Sequence, residues 1–426
     1  MDHFEYRDGE LFCEHAAVGA IAEAVGTPAY VYSAATLVEH YRRMAEAFAA
    51  LDPTICFSVK SLANVHVLRL LAGQGCGFDV VSAGELYRTR RAGAETGKVV
   101  FAGVGKTDRE IAAALRAGIG QFNVESEAEF ENLSRLAAGE GTRARAALRV
   151  NPDVDPKTHR YITTGKKETK FGVDIDRAER FFAAYGADPH ARLDGIHLHI
   201  GSQIRSPGPY VEAIEKALAL IGRLRAGGFE VNSLNLGGGF AADYEEGDSP
   251  PAADYAARIV PLLAGKGLRV FLEPGRQIAC NAGVLLTRVL YVKAGGERKF
   301  VICDAAMTDL IRPALYGSFH FIWPVRSAEP PRRSADYAPP GTAKADVVGG
   351  VCESSDFLGL DRWLPPVQRG DLLAVFSAGA YGFVMASQYN ARPRPPEVLV
   401  EAGRWRVIRR RETCEDLLTG EEDLPD

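Results

Sequence analysis

The sequence predicts a (β/α)8 TIM-like barrel joined to a second, mainly β domain. Three observations predict it. Eight short apolar runs alternate with helical patterns between residues 55 and 274. That alternation stops near residue 280, and strand-like runs separated by turns follow. The 426 residues suit about two to three domains and bury a large core without a disulfide or metal staple.

The eight runs are ICFSV (55–59), FDVV (78–81), VVFAG (99–103), QFNV (121–124), AALRV (146–150), GIHLHI (195–200), SLNLG (233–237) and VFLEP (270–274). Their Val, Ile and Phe content suits strands buried on both faces, as in a parallel sheet. VHVLRLLA, GELYRTRRA, REIAAALRA, EAEFENLSRLA, YVEAIEKALALIGRL and DYAARIVPLL carry apolar residues at a spacing near 3.6 and read as helices. Ser82, Thr107-Asp108 and Ser126 stand where N-caps belong. Eight such units fit a closed barrel; a doubly wound open sheet is the competing arrangement.

The barrel is expected over residues 31–279 and the β domain over 280–426, with residues 1–30 packing on the β domain because FEYRDGELFCEH is itself strand-like. LLTRVLYVKAG, KFVICDA, KADVVGGVC, DLLAVFSAGAY and EVLVEAGRWRVIRRR supply the later strands. Residues 325–345 are Pro-rich and read as a surface loop, the acidic C-terminal tail as a solvated or frayed end, and the Arg409–Arg411 run as a solvated face or strand edge.

Composition narrows the function. The net charge is −5, with no sustained basic stripe, which argues against nucleic-acid or anionic-membrane binding. No apolar run reaches membrane-span length, and the acidic start does not read as a secretory signal. Seven widely spaced cysteines without a C-x-x-C suggest free thiols in a reducing cytoplasm.

Barrel enzymes keep their chemistry at the C-terminal ends of the strands. Those ends carry Lys60, Asp79, Glu125, Arg149, His199, Gly237-Gly238-Gly239 and Glu273-Pro274-Gly275-Arg276. Singly each has an ordinary reading: Lys60 as a surface lysine, Glu125 as a helix cap, the glycines as a βα turn. Jointly they converge on one mouth. Glycines after a strand let backbone N–H groups approach a phosphate. The run is not G-x-G-x-x-G, so no dinucleotide site is indicated. GVGKT (103–107) lacks the first glycine of a P-loop, because position 100 is Val100. His197-x-His199 suggests a metal, but the other histidines lie off the strand ends, so no metal is expected. A lysine, a phosphate turn, a carboxylate and a histidine together suit pyridoxal 5′-phosphate (PLP). A phosphosugar would use the same turn, and the residues alone do not choose between them.

The motifs do choose. SVKS (58–61), GFDVVSAGELYR (77–88), NVES (123–126), RVNP (149–152), TGKKETKFGV (164–173), GIHLHIGSQI (195–204), LNLGGGF (234–240), LEPGR (272–276), MTDLIRPALY (307–316), CESSDFL (352–358) and GAYGFVMASQYN (379–390) follow in order. The chain resembles the fold-type III PLP-dependent decarboxylases over about residues 10–400, and most closely those acting on diaminopimelate. The resemblance implies decarboxylation of meso-2,6-diaminopimelate to L-lysine and CO2, the last step of lysine biosynthesis. It also implies a head-to-tail homodimer with shared active sites. Rival readings are a decarboxylase of ornithine, arginine or carboxynorspermidine, an amino-acid racemase, and a non-catalytic PLP-binding protein.

By the same resemblance Lys60 is the Schiff-base lysine, His199 packs on the ring and Glu273 faces the pyridine nitrogen. Ser202, Gly239, Gly275, Arg276 and Tyr381 lie on the phosphate side, and Asp79 and Arg149 surround the cofactor and its lysine. Arg276, Arg312, Tyr316, Glu353 and Tyr381 bind substrate, and Cys352 returns a proton across the dimer interface. One departure stands out: the family's K-A-N is Lys60-Ser61-Leu62 here, which leaves the packing behind the lysine as an open question. The lysine-rich segment 164–170 is expected to order over substrate.

Overall fold

The computed structural model describes residues 3–155, 170–328 and 332–421; most of the 164–170 segment lies outside them. The chain divides into two compact units. The first comprises Met1–Glu39, Asp243–Asp248 and Ile278–Asp426, and the second His40–Ala242 and Ser249–Gln277. Among the described residues no helix is long and apolar enough to cross a membrane.

The second unit is the barrel. Its strands are β1 (Thr54–Ser58), β2 (Gly77–Val80), β3 (Val99–Phe101), β4 (Gln121–Val124), β5 (Ala144–Asn151), β6 (Ala191–His197), β7 (Ser233–Asn235) and β8 (Arg269–Leu272). All neighbours pair in parallel, and Phe271 opposite Thr54 closes the ring between β8 and β1. All eight strands predicted from the apolar runs are present. Strands buried on both sides lack an exposed polar face, which is why they read as continuous apolar runs.

The helices between them start where local chemistry places them. Ser82 Oγ accepts from Glu85 N and Ser126 Oγ from Glu129 N, each capping a helix. Thr107 and Glu110 form a reciprocal capping box, which satisfies two otherwise orphaned N–H groups. Asn64 caps the Val65–Ala72 helix. The helix Ala178–Tyr185 was not anticipated; it buries only Ala178, Phe181 and Phe182, too short a stripe to register as a period.

The first unit is mainly β. Its long strand Gly283–Gly295 pairs with Arg298–Cys303, Leu372–Val375 and Ala29–Ser33. Ala29–Ser33 also runs parallel to Glu397–Glu401. An expected domain start at residue 31 falls inside this strand, and these pairings place the whole of it in the first unit. Segment 243–248 joins the same unit: Asn281 Nδ2 donates to the Asp243 carbonyl at 2.6 Å, and Ser334 Oγ to Glu245 Oε2 at 3.2 Å.

Two further details differ from the sequence reading or sharpen it. The acidic tail is not wholly frayed: Cys414–Leu417 is a short helix with its own capping box. The arginine run is structural. Arg409 Nε donates to buried Glu397 at 2.7 Å, Arg410 Nη2 to Asp416 at 2.7 Å, and Arg411 Nη2 to the Pro28 carbonyl at 2.8 Å.

Candidate active site

Lys60 stands in the 3-10 turn Val59–Ser61 that follows β1. The turn is closed by Ser61 Oγ donating to the Ser58 carbonyl at 2.7 Å. Leu62, in place of the family's asparagine, is 1% exposed and packs into the core. Asn64, two residues later, caps the next helix by accepting from His66 N at 3.0 Å. Behind the lysine, then, an apolar residue fills the space and the turn is held without that asparagine.

Lys60 Nζ donates to Asp79 Oδ2 at 2.6 Å, and the lysine side chain is 34% exposed whereas Asp79 is fully buried. Ser58 Oγ donates to the same oxygen at 2.8 Å, and Asp79 Oδ1 has no hydrogen-bond partner among the described residues. Burial pushes the Asp79 carboxyl up, with Lys60 pulling against it. This is a polar anchor that holds the lysine at the mouth.

Glu125 does not cap a helix. Ser126 does that, while Glu125 accepts from Gly103 N at 3.1 Å, Gly172 N at 3.0 Å and Arg149 Nη1 at 3.1 and 3.2 Å. It fixes Arg149, whose guanidinium lies 4.7 Å from the Phe171 ring centroid. Arg149 Nε and Nη2 are buried without hydrogen-bond partners among the described residues. Lys106, the lysine of the false P-loop, is a buttress: its Nζ donates to the Gly103 and Asn123 carbonyls and to Glu129 at 2.6–2.8 Å.

Glu273 follows β8 directly and is buried. Asn123 Nδ2 and Asn235 Nδ2 donate to its Oε1 at 3.0 and 2.6 Å, and His197 Nε2 lies 3.3 Å from its Oε2. Burial raises this carboxyl, but His197 with its hydrogen bond, and then Lys60, outweigh that and hold it at about 2. Glu273 is therefore ionised at neutral pH. The sequence singles out His197 only as a possible metal ligand, and Asn123 and Asn235 not at all as site residues. The available signal was a polar side chain inside a wholly buried strand, which demands a partner.

His199 lies two residues beyond β6. Its Nδ1 accepts from Gly238 N at 3.2 Å, so Nε2 carries the proton. Burial first, then the charges of Arg149 and Lys60, hold the imidazole well below its usual range, so it is neutral. The triple glycine packs around it. A Cβ on Gly238 would meet the Glu273 carbonyl at 2.4 Å, and one on Gly239 (φ +103°) the Gly201 carbonyl at 2.5 Å. Gly237 N and Gly238 N already donate to Asn235 and His199. Of the three, Gly239 is the one assigned to the phosphate side. Gly275 faces Ser58 and Ser61, where a Cβ would sit 2.9–3.1 Å from their atoms, and Arg276 Nη2 donates to Ser202 Oγ at 3.2 Å.

The remaining predicted residues lie in the first unit. Arg312 is 6% exposed at the start of the helix Arg312–Tyr316. Its guanidinium is 5.5 Å from the Tyr244 and Tyr316 ring centroids and 5.9 Å from that of Tyr381. Cys352 and Glu353 are exposed on a turn after the strand Ala343–Val348. Buried Asp356 holds that turn by accepting from Val351 N and Met307 N, both at 2.6 Å, and Cys352 N donates to Asn390 Oδ1 at 2.9 Å. Among the described residues no cluster of three His, Cys, Asp or Glu side chains has metal-binding geometry.

Residues 34–280 match the family described as pyridoxal-dependent decarboxylase, pyridoxal binding domain. The chain is 49% identical to the diaminopimelate decarboxylase of Pseudomonas aeruginosa, with 100% of each chain covered. It superposes on the diaminopimelate decarboxylase of M. jannaschii in complex with L-lysine with a TM-score of 0.92, at 36% identity, covering 100% of this chain and 98% of that one. On the Helicobacter pylori enzyme complexed with L-lysine the TM-score is 0.88, at 38% identity over 95% and 99% of the two chains.

A closed barrel with this mouth, joined to a β unit, is a PLP-dependent decarboxylase. Within that class the chain belongs to the diaminopimelate decarboxylase family. Its residues fit PLP: a reachable lysine, an ionised buried carboxylate, glycines where any side chain would clash, and buried Arg149 nitrogens still lacking acceptors.

Proposed function

We propose that this chain removes one carboxylate of meso-2,6-diaminopimelate, at its D centre, to give L-lysine and CO2, closing lysine biosynthesis. The observation that carries the reading is the ionised Glu273, held by three side-chain donors in the same barrel mouth as Lys60. When bound, PLP supplies the sink for the electrons of the broken carbon–carboxylate bond. An ionised glutamate at the pyridine nitrogen keeps that nitrogen protonated and the sink deep; a racemase prefers a weaker one.

The roles are those that the family resemblance implies, and the chemistry of the residues supports them. Lys60 would hold the cofactor covalently. Asp79 orients Lys60, and neutral His199 packs on the ring face. Arg149 lies beside the cofactor. Ser202, Gly239, Gly275, Arg276 and Tyr381 bind its phosphate. Arg276, Arg312, Tyr316 and Tyr381 bind substrate carboxylate, since guanidinium pairs with carboxylate in a two-pronged fork. Glu353 takes the distal ammonium, and Cys352 Sγ carries the proton returned to Cα. The test is CO2 release from purified protein with PLP and a panel of diamino acids. meso-Diaminopimelate is expected to be the preferred substrate, and preference for ornithine or arginine would overturn the reading.

We also propose a homodimer that shares its active sites and works in the cytoplasm, where its seven free cysteines stay reduced. The support is the Cys352-Glu353 turn, rigidly held yet exposed on its own chain. Lys60→Ala and Cys352→Ala proteins, mixed under conditions of subunit exchange, are expected to regain activity. Random exchange makes half of the dimers hybrid, each with one intact site, so roughly a quarter of wild-type activity returns. No recovery despite demonstrated exchange would rule out shared sites.

A further inference from the structure

A buried carboxylate is oriented only when both of its oxygens are held. The terminal torsion of glutamate is broad and nearly two-fold, so anchoring one oxygen leaves the other free to swing. In Glu273 the two amide donors, Asn123 and Asn235, meet on Oε1. Oε2 has His197 Nε2, 3.3 Å away, on the last residue of β6. An ionised carboxylate only accepts, so the proton of this contact sits on Nε2.

The other ring nitrogen makes the residue informative. His197 is 1% exposed, and its Nδ1 is buried with no hydrogen-bond partner among the described residues. An unpartnered buried nitrogen costs stability, which an apolar side chain in the same place would avoid. A core role does not account for a histidine here, whereas a donor aimed at Glu273 does.

We infer that His197 is a positioning residue for the decarboxylation: its Nε2–H anchors Glu273 Oε2, so that the carboxylate stays ionised and aimed at the pyridine nitrogen of the cofactor. The inference rests on the role of Glu273 proposed above. A hydrogen bond to the charged form favours that form, so losing the donor moves protonation of Glu273 to higher pH. Lys60, Asp79, His199 and Cys56 also act on this carboxylate, and of these His199 also feels the charge of His197.

The test uses the PLP-loaded enzyme and two readouts: steady-state kinetics across pH, and the pH titration of the absorbance of bound PLP. His197→Leu is expected to lower kcat by about 10–100-fold, the range for loss of a residue that orients a functional ligand. KM should change less than about threefold, since an interaction felt mainly in the transition state lowers kcat. The acid limb and the absorbance titration both move toward neutral pH. His197→Gln, which keeps a side-chain N–H, is expected to restore kcat to within about threefold and return the titration. Wild-type kinetics and titration in His197→Leu, or equal impairment in the glutamine variant, would overturn the inference. His197→Met replaces the leucine variant should that not fold; if neither apolar variant folds, His197 is structural and the inference fails. Glu273→Gln separates the two claims. If it alone shifts both readouts, only the role of His197 falls; if it too changes nothing, the assignment of Glu273 falls.

Discussion

Lys60→Ala is expected to abolish decarboxylation of meso-diaminopimelate, lowering kcat by about 10³-fold or more, because the covalent anchor of the cofactor disappears. The visible band of protein-bound PLP should vanish with it. In the wild-type enzyme, borohydride is expected to fix the cofactor on Lys60, as read by peptide mapping. Lys106 is the other lysine at this end of the barrel to consider. It is 1% exposed, and its Nζ already donates to two carbonyls and to Glu129. Lys60 is 34% exposed, with Asp79 as its anion. A half-exposed amine at the barrel mouth is accessible to an aldehyde, and a buried amine bonded on three sides is not. A label mapped to Lys106, or activity retained in Lys60→Ala, would overturn the assignment.

Arg312→Ala is expected to reduce kcat/KM for meso-diaminopimelate by about 100-fold or more, leaving the PLP spectrum unchanged. The ordinary reading of such an arginine is a surface salt bridge, and the structure removes it. Arg312 is buried, its Nη2 donates to Ser318 Oγ at 3.1 Å, and its Nε has no hydrogen-bond partner among the described residues. Among the described residues its charge faces the rings of Tyr244, Tyr316 and Tyr381 rather than a carboxylate. A buried cation without its anion is costly. The distal carboxylate of diaminopimelate supplies that anion, whereas ornithine brings a second cation. The variant should therefore lose diaminopimelate far more than ornithine. Its thermal stability should hold, because an uncompensated buried charge has been removed. A uniform loss on every substrate together with a collapsed melting temperature would mark Arg312 as structural.

The parts of this protein that are legible in its sequence are those set by neighbours along the chain. Ser82, Thr107 and Ser126 begin helices because their side chains reach an N–H three residues on. The eight barrel strands are legible because burial on both faces leaves only apolar residues, and the polar strand ends because a barrel brings them to one mouth. The motif order added the cofactor and the substrate class.

Other features were not legible, and each depends on a partner distant in sequence. Ala29–Ser33 is a strand because Gly283–Leu286 and Glu397–Val400 flank it, and nothing in AYVYS names either partner. Glu125 reads as a cap from its position; it became the anchor of Arg149 because β5 and Gly172 come to it. Asn123, Asn235 and His197 sit on three different strands, and only barrel closure brings them to Glu273. The sequence by itself determined the elements, their order and the residue types at the mouth, since those follow from local hydrogen bonding and the burial of apolar side chains. The tertiary structure decided which donor meets which acceptor, because a buried polar group takes its partner from whatever strand the closed sheet places within about 3 Å of it.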